Sequence, residues 1–95
     1  MQHVRVATYT VTKGTFQEVA EAAEAGMLPT FRAQPGFVSY GVADLGDEAL
    51  LSISIWQTRQ AAEQATSAAA EWVKENLSER IELASSQVGD LAFLA

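Results

Sequence analysis

One run of alternating side chains, Leu50 to Gln57, constrains the fold of this chain more than any other. Its aliphatic positions are Leu51, Ile53 and Ile55, and the positions between and after them are Ser52, Ser54 and Trp56. Because successive side chains of a strand point to opposite faces, this run predicts a strand whose two faces differ. We expect the aliphatic face to pack on helices, and the face of two hydroxyls and an indole to line a small semi-polar cavity.

Patterns elsewhere predict three more strands and two helices. The predicted strands are His3 to Thr12, Phe37 to about Leu45, Ala49 to Gln57 and roughly Ile81 to Val88, numbered one to four. Helix one begins at the capping box Thr15 to Glu18, kinks or restarts near Met27 to Pro29, and ends before Pro35. Helix two runs from Arg59 to about Glu79. Strand two carries apolar groups on both faces, so we expect it to be buried on both sides.

The order β-α-β-β-α-β predicts an α+β fold, the ferredoxin-like plait with a four-stranded antiparallel sheet and both helices on one face. Residues 1–95 form one domain in this interpretation. Two helices cover only one face, and the other face would expose more apolar surface than monomers usually tolerate. We therefore expect a homodimer in which two sheets pair face to face and enclose a cavity, giving a dimeric α+β barrel.

Composition excludes several classes of function. The net charge of −6 argues against nucleic acid or anionic membranes as partners, because both require clustered basic residues. The chain has no cysteine and one histidine, which leaves no thiolate nucleophile, no zinc-thiolate site and no disulfide. No secretion signal opens the chain, and its apolar runs are shorter than a membrane span. We expect a soluble cytoplasmic protein that needs no cofactor or metal.

Three segments resemble one known family. They are the Gln-Pro-Gly-Phe-Val-Ser-Tyr entry to strand two, the Leu-Ser-Ile-Ser-Ile-Trp strand, and the Arg-Gln-Ala-Ala-Glu start of helix two. Together they are similar to the antibiotic biosynthesis monooxygenase-like (ABM) domain of the dimeric α+β barrel superfamily. The resemblance covers most of the chain, and it implies the fold and the dimer more specifically than the activity.

The resemblance also implies candidate site residues. Family members that oxidise polycyclic phenols without metal or flavin have a cavity-lining Trp near the end of strand three, which Trp56 matches. Their Asn four residues earlier corresponds to Ser52, and their Tyr on early helix two falls on or near Ala62. The haem-degrading branch adds an Asn on strand one and an axial His on helix two, and this chain has neither.

Six residues are the site candidates from the sequence. Trp56, Ser52 and His3 are the catalytic candidates, and Ser54, Tyr40 and Arg5 are the substrate-binding candidates. Each has a simpler alternative. His3 could be a base for a phenol, because imidazole titrates near neutrality, or a solvated strand end. Arg5 could bind a phenolate or form an ordinary ion pair. Trp56 could face a ligand or a dry dimer core. Tyr40, and Tyr9 with it, could donate a hydrogen bond to a substrate oxygen or simply pack.

Two functions remain open at this point. The first is a cofactor-independent monooxygenase that binds an electron-rich phenol or quinol, favours its anion and lets it reduce oxygen. The second is a non-catalytic, small-ligand-binding or stress-related dimer of the same fold. A haem-binding degrader is disfavoured by the missing axial histidine.

Overall fold

A four-stranded antiparallel sheet organises the protein, and the computed structural model describes residues 1–95. The strands are β1 (His3–Val11), β2 (Phe37–Gly46), β3 (Ala49–Trp56) and β4 (Ile81–Asp90). They lie in the order β2-β3-β1-β4, which puts the first and third strands at the centre and the other two at the edges. The predicted ferredoxin-like α+β fold is confirmed.

The helical layer covers one face of this sheet. It consists of α1 (Phe16–Ala22), a π-helical turn (Ala23–Met27), α2 (Leu28–Arg32) and α3 (Arg59–Asn76). The predicted capping box begins α1, because the Thr15 hydroxyl accepts from the Glu18 backbone N–H at 3.2 Å and Glu18 Oε1 accepts from the Thr15 N–H at 3.1 Å. Thr58 caps α3 through a bond from the Ala61 N–H, 3.1 Å long.

The predicted interruption of helix one takes the form of the π-helical turn. It begins at Ala23, before the predicted range of Met27 to Pro29. Pro29 lies in the first turn of α2, directly after the π-helical turn. The Thr30 hydroxyl donates to the Gly26 carbonyl at 2.9 Å. That bond gives a partner to a carbonyl within the irregular turn.

Turn chemistry sets the sheet register. Asp47 and Glu48 both have positive φ, 52° and 64°, as a two-residue hairpin between β2 and β3 requires. Gly36 has φ 85° before β2, and a Cβ there would lie 3.1 Å from the Ala61 Cβ. The resulting register pairs Gly46 with Ala49 and Tyr40 with Ser54 across β2 and β3. Ser54 also pairs with Arg5 across β3 and β1.

The predicted orientation of β3 is wrong. Ser52, Ser54 and Trp56 are at most 5% exposed and face the helices, whereas Ile53, on the opposite face, is 38% exposed. The polar face can be buried because the Trp56 indole N–H donates to the Ser54 hydroxyl at 2.8 Å, so both groups have a partner. On the helical side Trp56 packs with small residues of α3, namely Ala61, Ala62, Ala65 and Ala69.

The aliphatic residues of the central strands lie on the opposite side of the sheet, which we call the open face. It carries Val4, Val6, Leu51, Ile53 and Ile55. No helix of this chain covers the open face.

Strand β2 also differs from prediction. It is an edge strand and none of its residues is buried within the single chain, although we expected burial on both sides. Only its inner face meets the helical layer, through Phe37, Tyr40 and Val42. Two boundaries shift as well, since α3 ends at Asn76 rather than near Glu79 and β4 continues past Val88 to Asp90. No helix has the length and apolar character that spanning a membrane would require.

Candidate functional site

A cavity lies between the sheet and the helical layer, and we call it the inner cavity. Most of its lining is apolar, and the polar groups that reach it belong to Arg5, Tyr9, Tyr40 and Ser52. Its volume is about 30 Å³. Since a water molecule needs about 10 to 15 Å³ on this measure, there is room for only two or three waters. An aromatic ligand would have to push the walls apart.

Arg5 is the most unusual residue of the inner cavity. It is 2% exposed, and its guanidinium donates to the Thr66 hydroxyl at 3.2 Å and to the Tyr9 hydroxyl at 3.4 Å. Neither ion pair of the structure includes it, so no carboxylate neutralises this charge within the chain. Within the single chain, Arg5 does not form the ion pair that the sequence offered as an alternative. A buried guanidinium with only hydroxyl partners favours any anion that can reach it.

Tyr40 and Ser52 reach the cavity from adjacent strands. Burial raises the pKa of Tyr40 to about 12, and the nearby Tyr9 acts in the same direction, while Ser52 and Arg5 lower it. Tyr40 is therefore a neutral hydroxyl at every physiological pH, able to donate a hydrogen bond. Its ring contacts Phe31 edge to face, with centroids 5.0 Å apart.

Trp56 and Ser54 lie beside the inner cavity rather than in its lining. Both side chains are 0% exposed. The Trp56 ring meets Phe31 and Phe37 edge to face, at centroid distances of 5.2 and 5.5 Å. The indole N–H already donates to Ser54, and neither side chain lines the inner cavity, so neither reaches a ligand there in this conformation.

His3 lies at the end of the sheet, outside the lining of the inner cavity. Its Nδ1 is 2.9 Å from Asp90 Oδ1, although the two groups are not aligned for a hydrogen bond. The imidazole is 17% exposed. The structure therefore brings Arg5, Tyr40 and Ser52 together and leaves His3, Ser54 and Trp56 outside this set.

Two cavity residues are not among the six site candidates. Tyr9 was considered from the sequence as a possible hydrogen-bond donor, and strand alternation places it on the same face as Arg5. Trp72 falls on an apolar stripe of helix two, which predicts core packing, and no sequence pattern indicates that it lines the cavity. Its ring lies so close to Gly26 that a Cβ there would be 2.6 Å from Trp72 Cζ2. The glycine of the π-helical turn thus makes room for this indole.

Solved structures share this fold over nearly the whole chain. SnoaB from Streptomyces nogalater, described as a cofactor-independent oxygenase, matches with TM-score 0.76 and 18% identity over 98% of this chain and 95% of that chain. The monooxygenase from the gene ActVA-Orf6 of Streptomyces coelicolor, in complex with nanaomycin D, matches with TM-score 0.69 and 22% identity over 98% of this chain and 90% of that chain. MupZ from Pseudomonas fluorescens matches with TM-score 0.74 and 15% identity over 92% of this chain and 69% of that chain.

Sequence comparison gives the family. A search of curated proteins found no significant match. The model of the antibiotic biosynthesis monooxygenase family, by contrast, matches residues 2–73, which include the first three strands and most of α3. This chain belongs to the antibiotic biosynthesis monooxygenase (ABM) family.

Proposed function

We propose that this protein is a cofactor-independent monooxygenase that oxidises a phenol or quinol bound in the inner cavity. Family membership supports the reaction class. The similar fold of SnoaB, a cofactor-independent oxygenase, and of a monooxygenase crystallised with nanaomycin D supports a small aromatic substrate.

The observation that carries this proposal is the buried Arg5 guanidinium, which has no carboxylate partner and faces an apolar cavity. A phenolate about 4 Å from a guanidinium gains about 4 kcal/mol at an effective dielectric constant of about 20. That is equivalent to about three pKa units of the ligand, before the cost of desolvation is subtracted. The cavity therefore favours the phenolate, which gives up an electron to oxygen far more readily than the neutral phenol.

The reaction balances without an added reductant. The phenolate transfers one electron to O₂, and the resulting superoxide and phenoxyl radical combine into a peroxide on a ring carbon. One oxygen atom then becomes the new carbonyl of a quinone. The other leaves as water with the ring hydrogen and the phenolic hydrogen, so the substrate supplies all four electrons that reduce O₂.

Protein groups orient the substrate in this scheme. The neutral Tyr40 hydroxyl donates to a substrate oxygen, Ser52 donates or accepts beside it, and Arg5 stabilises the anion. Trp56 acts indirectly, because its packing on Phe31 fixes the aromatic wall behind Tyr40. We assign no proton transfer to His3, since it lies beside Asp90 and not in the cavity lining.

Oxygen uptake with 1,4-dihydroxynaphthalene and 1-naphthol tests this function, with heat-denatured protein as the control for spontaneous oxidation. Two serines on the same face of β3 offer a matched pair of variants. Ser52→Ala removes a hydroxyl from the cavity lining and should lower kcat/KM by about two- to tenfold, the effect of one hydrogen bond. Ser54→Ala removes a hydroxyl outside the cavity lining and should leave kcat/KM per folded molecule unchanged.

The outcome also decides between the two functions left open by the sequence. If no phenol or quinol raises oxygen uptake above the denatured control, the oxygenase proposal fails. Calorimetry with the same compounds would then test the second function, a ligand-binding protein without chemistry. Equal rates in both serine variants would remove Ser52 from the site.

We also infer that two chains form a homodimer through their open faces. Of the five aliphatic side chains of the central strands on this face, Ile55 is already buried, whereas the other four stay partly exposed in the single chain, Ile53 by 38%. Pairing two such faces removes this apolar surface from water, the usual reason why a one-sided sheet dimerises. In this arrangement each chain keeps its own inner cavity on the helical side of the sheet.

A further inference from the structure

A second cavity opens on the other side of Arg5, between α3 and β4, and we call it the outer cleft. Its volume is about 320 Å³, far larger than that of the inner cavity. It exists because α3 leaves β4 largely uncovered, so that Ile81 is the only buried residue of that strand. Leu83, on the inner face of β4, is 57% exposed.

Arg5 and Tyr9 line both the outer cleft and the inner cavity. Together with Val73 and Ile81, which also line both, they form the partition between the two. Arg5 Nε donates to the Thr66 hydroxyl at 3.2 Å, and Arg5 Nη2 donates to the Tyr9 hydroxyl at 3.4 Å. A hydrogen bond of this length is weak. A better acceptor in the outer cleft can therefore replace Tyr9 at Arg5 Nη2 while the bond to Thr66 is kept.

The charges around the outer cleft are unlike those of the rest of the chain. None of its 10 lining residues is acidic, and two, Arg5 and Lys74, are basic. The chain as a whole has 12 acidic residues against 6 basic ones. Neither of these two cations is in an ion pair with any carboxylate of the chain. The cleft is thus a cationic site on an acidic protein.

We propose that the outer cleft binds the carboxylate of an acidic aromatic ligand, whose ring lies against the aliphatic lining of the cleft. Arg5 pairs with the carboxylate from the floor, and Lys74, on the exposed surface of α3, attracts it from the rim. The aliphatic lining from Ala70, Val73 and Leu83 suits a ligand with one acidic group on an apolar body rather than a phosphorylated sugar. This inference rests on the proposed function for the choice of an aromatic ring.

Anaerobic calorimetry with a matched pair of ligands tests the inference, because binding is then measured without oxidation. The pair is 6-hydroxy-2-naphthoate and 6-hydroxy-2-naphthamide, which have the same rings and differ in charge. The wild type should bind the acid about tenfold tighter or more at low salt, the usual effect of a charge-assisted contact with a buried partner. Added salt should weaken binding of the acid and leave the amide unchanged.

The two lysines of the chain provide matched variants that spare the core. Lys74→Gln removes a charge from the rim and should reduce the preference for the acid by about two- to fivefold, as expected for an exposed charge. Lys13→Gln makes the same change outside the cleft, on a surface shared with Glu75 and Glu79, and should leave the preference unaltered. Arg5→Gln should abolish the preference if that variant folds, and Lys74→Gln keeps the test decisive if it does not.

Three results would overturn the inference: equal affinities for the acid and the amide, equal effects of the two lysine variants, or no binding of either ligand below millimolar concentration. Oxygen uptake separates this failure from failure of the proposed function. A protein that oxidises neutral quinols without preferring acids is an oxygenase with no carboxylate site. One that binds the acid tightly but consumes no oxygen keeps the site and loses the oxygenase function.

Discussion

Ile53→Asp should convert the proposed homodimer into a folded monomer. Ile53 lies on the open face at the centre of the sheet, opposite Val6 of β1 and Gly41 of β2. In the single chain it is 38% exposed, so aspartate there remains partly solvated and the monomer can tolerate it. In a dimer paired through the open faces, the same position is covered by the partner.

The expected loss of dimerisation free energy is the sum of two terms. Each term counts twice, because both subunits carry the substitution. Burying a whole isoleucine side chain contributes about 1.5 to 3 kcal/mol, so covering the 38% that remains exposed contributes about 1 kcal/mol per subunit. Burying an unpaired carboxylate costs several kcal/mol. The dimer should be weakened by at least about 5 kcal/mol, which raises its dissociation constant more than about a thousandfold.

Sedimentation equilibrium at about 10 μM measures this directly, because a chain of 10.2 kDa doubles its mass on dimerisation. Gln60→Asp, in the exposed first turn of α3, adds the same charge on the helical side and is the matched control. Circular dichroism should show that both variants fold. A monomeric wild type, or a dimeric Ile53→Asp variant, would refute pairing through the open face.

Three further predictions concern the core and the inner cavity. Ser54→Ala leaves the buried Trp56 N–H without its acceptor and should lower stability by about 1 to 3 kcal/mol, seen as a drop in Tm of about 5 to 15 °C. Because the pKa of Tyr40 is raised to about 12, the neutral form stabilises the fold below pH 10 and this contribution is lost as the pH rises to 12. In urea titrations, the free energy of unfolding of the wild type should fall by about 2 to 3 kcal/mol more than that of Tyr40→Phe as the pH rises from 10 to 12. Gly26→Ala should destabilise by about 1 to 3 kcal/mol, since its Cβ would be 2.6 Å from the Trp72 ring. Equal destabilisation in a Trp72→Phe background would show that the ring is not the cause.

Local patterns predicted the helices and strands and their order, because capping, turn chemistry and alternation are properties of neighbouring residues. Thr15, Pro29 and Thr58 each act at the helix start or interruption where the sequence predicted one. Which side of the sheet receives the helices is not a local property. The alternation in β3 predicted that its two faces differ, but the polarity of the residues indicated the wrong face for the helices. The face with Ser54 and Trp56 can be buried under the helices because these two side chains hydrogen-bond to each other.

The candidate site was predictable to a similar extent. Arg5, Tyr40 and Ser52 could be identified because they share the inner face of three adjacent strands. The absence of a carboxylate near Arg5 could not be predicted, because it depends on which residues of α3 pack above β1. The place of Trp72 in the cavity lining depends in the same way on the π-helical turn, which no periodicity marks.

The contrasting surroundings of the two tryptophans provide an optical signal for each of two events. Trp56 is wholly enclosed with its N–H bonded, whereas Trp72 is half-buried and touches the inner cavity. Indole emission shifts to longer wavelength as its surroundings become more polar. The short-wavelength component therefore belongs to Trp56 and is lost only when the core opens, while Trp72 changes when something occupies the cavity. Unfolding and occupancy can be followed separately in the unlabelled protein, with Trp72→Phe isolating the first signal and Trp56→Phe the second.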